Sequence, residues 1–281
     1  MKTPFALAAG LFITVAIFPL AGEPPAEPQL LRQGEVVSPL PKEILVQTLR
    51  ISPDGRQIAG VVATGEDRVA IFINGKQSPE YDAIVLDSIH FSPDSRRIAY
   101  GARRDGHGIV VVDGVEYPAG ETCASGFPIF SPNSAHFLYV AVQPGKAKMC
   151  VVMDGRPGAP YDSIMKGSPF FSPDGKRFAY VARDGDGGRI VLDEFAGAKY
   201  QNVDAPTFSA DGNHLAYVAM TGTSSLLVLD GREVAEASTF LRDSLAFDSP
   251  TQVHILSLGR NGVVNRLQVD FPEFPDRRAG R

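Results

Sequence analysis

The chain has 281 residues, of which 44% are hydrophobic and 21% charged, with 28 glycines and 22 prolines. That is enough apolar material for a sizeable core and places the chain among globular proteins. The formal net charge is −5, with acids and bases interspersed, which excludes the basic stripe of a nucleic-acid binder and the polybasic patch of an anionic-lipid binder.

In chain order, the first element is a leader. Lys2 precedes an almost uncharged apolar run from Phe5 to Leu20, followed by the small residues Ala21 and Gly22. Residues 1–22 therefore read as a secretory signal, and the mature protein is expected in the periplasm or secreted, without membrane insertion after cleavage. Leu20 is a poor residue three places before the cut, so an uncleaved N-terminal anchor is the alternative. Residues 23–33, with Pro24, Pro25 and Pro28, read as an extended tether.

From Gly34 onward one phrase returns: Ile51-Ser52-Pro53-Asp54-Gly55, Phe91-Ser92-Pro93-Asp94-Ser95, Phe130-Ser131-Pro132-Asn133-Ser134, Phe171-Ser172-Pro173-Asp174-Gly175, Phe208-Ser209-Ala210-Asp211-Gly212 and a degraded Phe247-Asp248-Ser249-Pro250. The spacings are 40, 39, 41, 37 and 39 residues, close to the period of a four-stranded propeller blade. In the fourth copy, Ser168–Ser172 reads as a first strand, Pro173-Asp174-Gly175 as a turn and Arg177–Arg183 as a second strand. Arg189–Leu192 then reads as a third strand and Tyr200–Val203 as the closing one.

An acid or amide ends the third strand of each repeat, at Asn74, Asp113, Asp154, Asp193, Asp230 and Asp270, with glycine next in four. Asn-Gly and Asp-Gly favour tight hairpins, so these are read as turn formers. Tyr81, Tyr161 and Tyr200 follow seven residues later and are read as packing on the next sheet. The sixth repeat offers three strands, Leu245–Phe247, Val253–Leu258 and Val264–Val269, and Gly34–Val46 is expected to supply its fourth. The expected fold is all-β: a six-bladed β-propeller of four-stranded antiparallel blades over residues 34–271, closed by an N-terminal strand completing the last blade. Residues 272–281 read as a flexible tail.

The repeated phrase, followed by strands such as Phe178-Ala179-Tyr180-Val181 and Leu215-Ala216-Tyr217-Val218, resembles the WD-repeat-like propellers of bacterial envelope proteins. These include the TolB type and the propeller domain of prolyl oligopeptidases. The resemblance implies architecture and leaves function open, because such propellers host unrelated activities.

Cys123 and Cys150 are the two cysteines, and in an exported chain they form a candidate disulfide between neighbouring repeats. The alternating carboxylates of Arg183-Asp184-Gly185-Asp186-Gly187-Gly188 are too few for calcium, and His107 has no second histidine nearby, so both read as solvated loops and no metal or other cofactor is expected. Arg50, His90, Ile129, Phe170, Thr207 and Ala246, just before the repeated aromatic, are placed to face a central channel and form no symmetric ligand ring. The hairpin loops between second and third strands vary most. They carry the candidate binding residues Arg103, Arg104, His107, Arg183, Asp184 and Arg260.

The expected function is a non-catalytic, monomeric binding module that engages a protein, peptide or envelope component through this loop face. The alternative is a small propeller lyase or hydrolase acting on a glycan or peptide in the central channel.

Overall fold

The computed structural model describes residues 37–121, 128–143, 145–165, 167–259 and 262–272, all within the body Val37–Arg281. The described residues form β-strands and two short 3-10 turns, Val46–Thr48 and Leu86–Ser88. The strands fall into six sequential repeats. The first comprises Arg50–Ile51, Ile58–Ala63, Val69–Ile73 and Lys76–Gln77. The second comprises Ala83–Ile84 with His90–Phe91, then Ile98–Arg104, His107–Val112 and Val115–Gly120. The third holds Ile129–Phe130, Phe137–Val142, Met149–Met153 and Arg156–Pro157. Ser163–Ile164 with Phe170–Phe171, Phe178–Asp184, Gly187–Leu192 and Phe195–Ala196 make the fourth. Asn202–Phe208, Leu215–Thr221, Ser224–Leu229 and Arg232–Ala237 make the fifth. The sixth has Ala246–Ser249, Gln252–Leu258 and Val264–Asp270. Within each repeat, neighbouring strands are antiparallel.

The repeated phrase is a self-contained turn. In the first repeat the Ser52 hydroxyl donates to Asp54 Oδ1 at 2.6 Å and accepts the Gln57 N–H at 2.9 Å, while Asp54 Oδ1 also accepts the Arg56 N–H. Ser92–Asp94, Ser172–Asp174 and Ser209–Asp211 repeat the arrangement, and Asn133 replaces the acid beside Ser131. The turns also join successive repeats. The Asp54 N–H donates to Ser95 Oγ, the Asp94 N–H donates to Ser134 Oγ, and the Asn133 amide donates to the Asp174 carbonyl.

The acids ending the third strands act as expected in five repeats. Asn74, Asp113, Asp154, Asp193 and Asp230 all take positive φ of 46–52°, which a short polar side chain tolerates. Each also accepts the N–H that starts the second strand, as Asp193 Oδ1 does from Phe178 at 3.0 Å. Asp270 ends its strand without such a turn and accepts Gln252 Nε2 instead.

Side chains alternate between two buried faces. In Phe178–Asp184, Phe178, Tyr180 and Ala182 pack with the third repeat, whereas Ala179 and Val181 pack with the fifth. In Leu215–Thr221, Leu215, Tyr217 and Ala219 face back, while Ala216 and Val218 face the sixth repeat. Burial on both faces explains why these central strands read as continuous apolar runs. The tyrosines pack as expected: the pairs Tyr81–Tyr100, Tyr161–Tyr180 and Tyr200–Tyr217 have ring centroids 6.0, 6.1 and 6.5 Å apart, all edge-on. A single parallel pairing, Gly120 with Val142, joins the second and third repeats into one sheet.

Three expectations are corrected. The Lys42–Val46 segment does not complete the sixth sheet. Ile44 bridges Val62 and the Leu45 N–H donates to the Val61 carbonyl, so this segment extends the first strand of the first repeat, and the sixth sheet has three strands among the described residues. First strands in the second and fourth repeats are split in two, with a 3-10 turn at Leu86–Ser88 in the second, where the Ser88 hydroxyl accepts the Gly101 N–H. The closing strand of the fourth repeat is Phe195–Ala196, with Tyr200 bridging Gly188, and Asn202–Val203 already belongs to the fifth. Cys150 is a free thiol, buried in the largest apolar cluster, where burial pushes its pKa up. Its candidate partner Cys123 lies outside the described residues, as do the leader, the tether and residues 273–281.

Candidate functional site

Antiparallel pairing sends the Ser-Pro-Asp-Gly turns and the Asn-Gly or Asp-Gly hairpins to one end of each sheet, and the hairpins between second and third strands to the other. At the second end, a polar residue after the recurring tyrosine holds the neighbouring hairpin. Asp82 Oδ2 accepts the Gly106 N–H at 3.2 Å, and Asp162 Oδ2 accepts the Gly185 N–H at 2.6 Å. Gln201 Oε1 does the same for Gly222 at 3.1 Å. The two acids also hold cations, Asp82 with Arg68 and Asp162 with Lys148.

The candidate residues fall on two described hairpins. Arg104 is an internal clamp: its guanidinium pairs with Glu116, donates to the Glu80 carbonyl and lies 4.6 Å over the Tyr81 ring. Arg103 donates to the Gly106 carbonyl across its own hairpin, and His107 is exposed at the start of the next strand. Asp184 lies 3.7 Å from Lys148, and its neighbour Asp186 pairs with Lys199 at 3.0 Å, so both loop carboxylates face lysines. Arg183 donates to Asn202 Oδ1 at 2.8 Å. Arg260 lies outside the described residues.

Of the positions expected to face a channel, Arg50 and His90 come together: Arg50 lies 3.7 Å from Asp87, whose carbonyl is 3.1 Å from His90 Nε2. Burial, reinforced by Arg50, pushes the His90 pKa down. Phe170 instead packs edge-on against Phe208 at 5.4 Å.

Arg183 lines an open cleft of about 450 Å³ between the fourth and fifth repeats. Gln201, Asn202, Thr223, Ser224 and Ser225 supply amides and hydroxyls, and Met220 supplies an apolar wall. No carboxylate lines the cleft among the described residues. Its volume falls within the roughly 300–1,000 Å³ of small-ligand sites, and a few placed polar groups on a shaped wall are what such sites use for orientation.

Sequence reasoning found Arg183 but missed the rest of this lining. The signal was present in the residue after each tyrosine: Tyr81-Asp82 and Tyr161-Asp162 become Tyr200-Gln201, where the charge is lost. The Thr221-Gly222-Thr223-Ser224 hairpin, free of charged residues, is the second part of that signal.

No family model matches the chain, and no curated protein matches it. Among solved structures, the chain is similar to TolB from Acinetobacter baumannii at 20% identity and a TM-score of 0.34, covering 75% of this chain and 60% of that one. It is similar to the β-propeller domain of the Trilobed protease from Pyrococcus furiosus at 15% identity and a TM-score of 0.35, covering 83% of each. A third likeness, to Kuenenia stuttgartiensis hydrazine synthase, has 15% identity and a TM-score of 0.31, covering 79% of this chain and 65% of that one. TolB is also the type of propeller that the repeated Phe-Ser-Pro-Asp-Gly phrase resembles.

Proposed function

We propose that the six repeats are the blades of an exported β-propeller that acts as a non-catalytic binding module, and that its loop face engages a peptide segment of a protein partner. The observation that carries this reading is the cleft between the fourth and fifth repeats. Side-chain amides and hydroxyls pair readily with peptide N–H and carbonyl groups. The packed strands beneath hold the two walls in place, so little ordering entropy is lost on binding. The sequence of residues 1–22, read as a secretory signal, supports an extracytoplasmic site of action.

Affinity capture from the native envelope, with the full chain as bait, tests the reading. The expected result is recovery of a protein by the wild type and its loss from a bait carrying Arg183→Ala and Asn202→Ala. Equal recovery by both baits would remove the cleft from the binding surface.

A further inference from the structure

We propose that the cleft between the fourth and fifth repeats seats the C-terminal carboxylate of the partner peptide, with Arg183 as its anchor. The proposal rests on the loop-face reading above and narrows it to one chemical group.

Arg183 differs from most cations at this end of the sheets, sharing with Arg103, which donates to the Gly106 carbonyl, a neutral described partner, and of the two it is Arg183 that lines the cleft. Arg68, Arg104, Lys148 and Lys199 each hold a carboxylate of the protein itself. The described partner of Arg183 is the neutral Asn202 amide, bonded through Nη2. A guanidinium carries five N–H donors in a planar fork, so one bond to an amide leaves most of that fork for a ligand. The arrangement matches a carboxylate, whose two oxygens accept parallel bonds from arginine.

The second observation concerns Gln201. In the second and fourth repeats, the residue at this position is an acid that fastens the neighbouring hairpin N–H, as Asp82 does for Gly106 and Asp162 for Gly185. Gln201 fastens Gly222 through Oε1 without bringing a negative charge. An aspartate here would stand in the same cleft as Arg183 and would repel an incoming anion. The hairpin is held in all three places, but here the cation is left without an acid of its own.

The remaining lining fits the rest of a chain end. Thr223, Ser224 and Asn202 can donate to the second carboxylate oxygen or accept the last peptide N–H, and Met220 offers an adaptable apolar contact for a terminal side chain. A phosphate, carrying close to two charges, would call for a cluster of cations, and Arg183 is the one basic residue in this lining. The volume of about 450 Å³ suits the end of a chain rather than a folded surface.

The test uses the full chain and a randomised seven-residue peptide library made twice, with free C-termini and with C-terminal amides. Binders are selected on the wild type and measured by fluorescence polarisation. The expected result is that free-acid binders lose at least about ten-fold in affinity on amidation, and as much against Arg183→Gln or Gln201→Asp. Gln201→Asp places here the residue found at Asp82 and Asp162, so its thermal midpoint should stay at the wild-type value and its loss of binding reports charge. Peptides that bind equally as acid and amide, yet are lost on Arg183→Gln and Asn202→Ala, would overturn the carboxylate anchor and leave the loop-face reading standing. Failure of both libraries to bind the cleft would overturn both.

Discussion

At the residue scale, a few side chains fix the backbone more than composition suggests. Gly120 has φ of +86°, and a Cβ there would stand 1.6 Å from the Val142 carbonyl oxygen. Gly120→Ala should therefore break its pairing with Val142, which joins the second and third repeats, lowering stability by on the order of 3 kcal/mol in urea denaturation; an unchanged midpoint would show that the contact is dispensable. The turn aspartates make stability depend on acid. Hydrogen bonds from the Ser52 hydroxyl and then the Arg56 N–H hold the Asp54 pKa below its ordinary 3.8, and Ser92 and Arg96 do the same for Asp94. The stability they contribute is present above 3.8 and is lost as pH falls through the lowered folded values. At the other extreme, burial raises the pKa values of Tyr100, Tyr180 and Tyr217 above the ordinary 10.0, so their contribution is present below 10.0 and is lost as pH rises through the raised values. The urea midpoint should be flat between about pH 5 and 9 and fall at both ends; a midpoint undiminished at about pH 3 would contradict the aspartate account.

At the element scale, the repeat was legible and its edges were not. The 37- to 41-residue period, the hairpin acids and the tyrosine packing follow from local chemistry that each copy carries within itself. The splitting of the first strands was not legible, because it depends on Ser88 and Thr48 reaching across to the second strand, at Gly101 and Val61. The Lys42–Val46 segment was misplaced for a related reason: its apolar residues suit any buried sheet, and only pairing with Val61 and Val62 decides which. The sixth repeat differs from the others on one face. Val253 and Ile255 pack back on the fifth repeat, but on the opposite face Asp248 holds both His254 at 2.9 Å and Arg266 at 2.6 Å. In the fifth repeat the corresponding face carries Ala216, Val218, Leu227 and Leu229.

At the scale of the whole molecule, packing strength and the proposed binding surface are separated. The apolar seams between repeats hold fully buried side chains such as Leu227, whose replacement by alanine should cost about 2–5 kcal/mol in urea denaturation; a smaller loss would mean that the seam between the fifth and sixth repeats is loosely packed. The loop face owes little to those seams, since its hairpins are fastened by Asp82, Asp162 and Gln201. This division is why the candidate site was only partly visible in the sequence. Arg103, Arg104, Arg183 and Asp184 look alike as loop charges, and three-dimensional pairing alone shows that Arg104 and Asp184 are engaged within the protein while Arg183 opens on a cleft. The most direct test of the account places a photo-crosslinking amino acid at Thr223, beside Arg183, or at Arg156, at the opposite end of the sheets, in the full chain within its native envelope. A protein adduct at position 223 and none at 156 is the predicted result, whereas an adduct at 156 alone, or equal adducts at both, would contradict binding through the loop face.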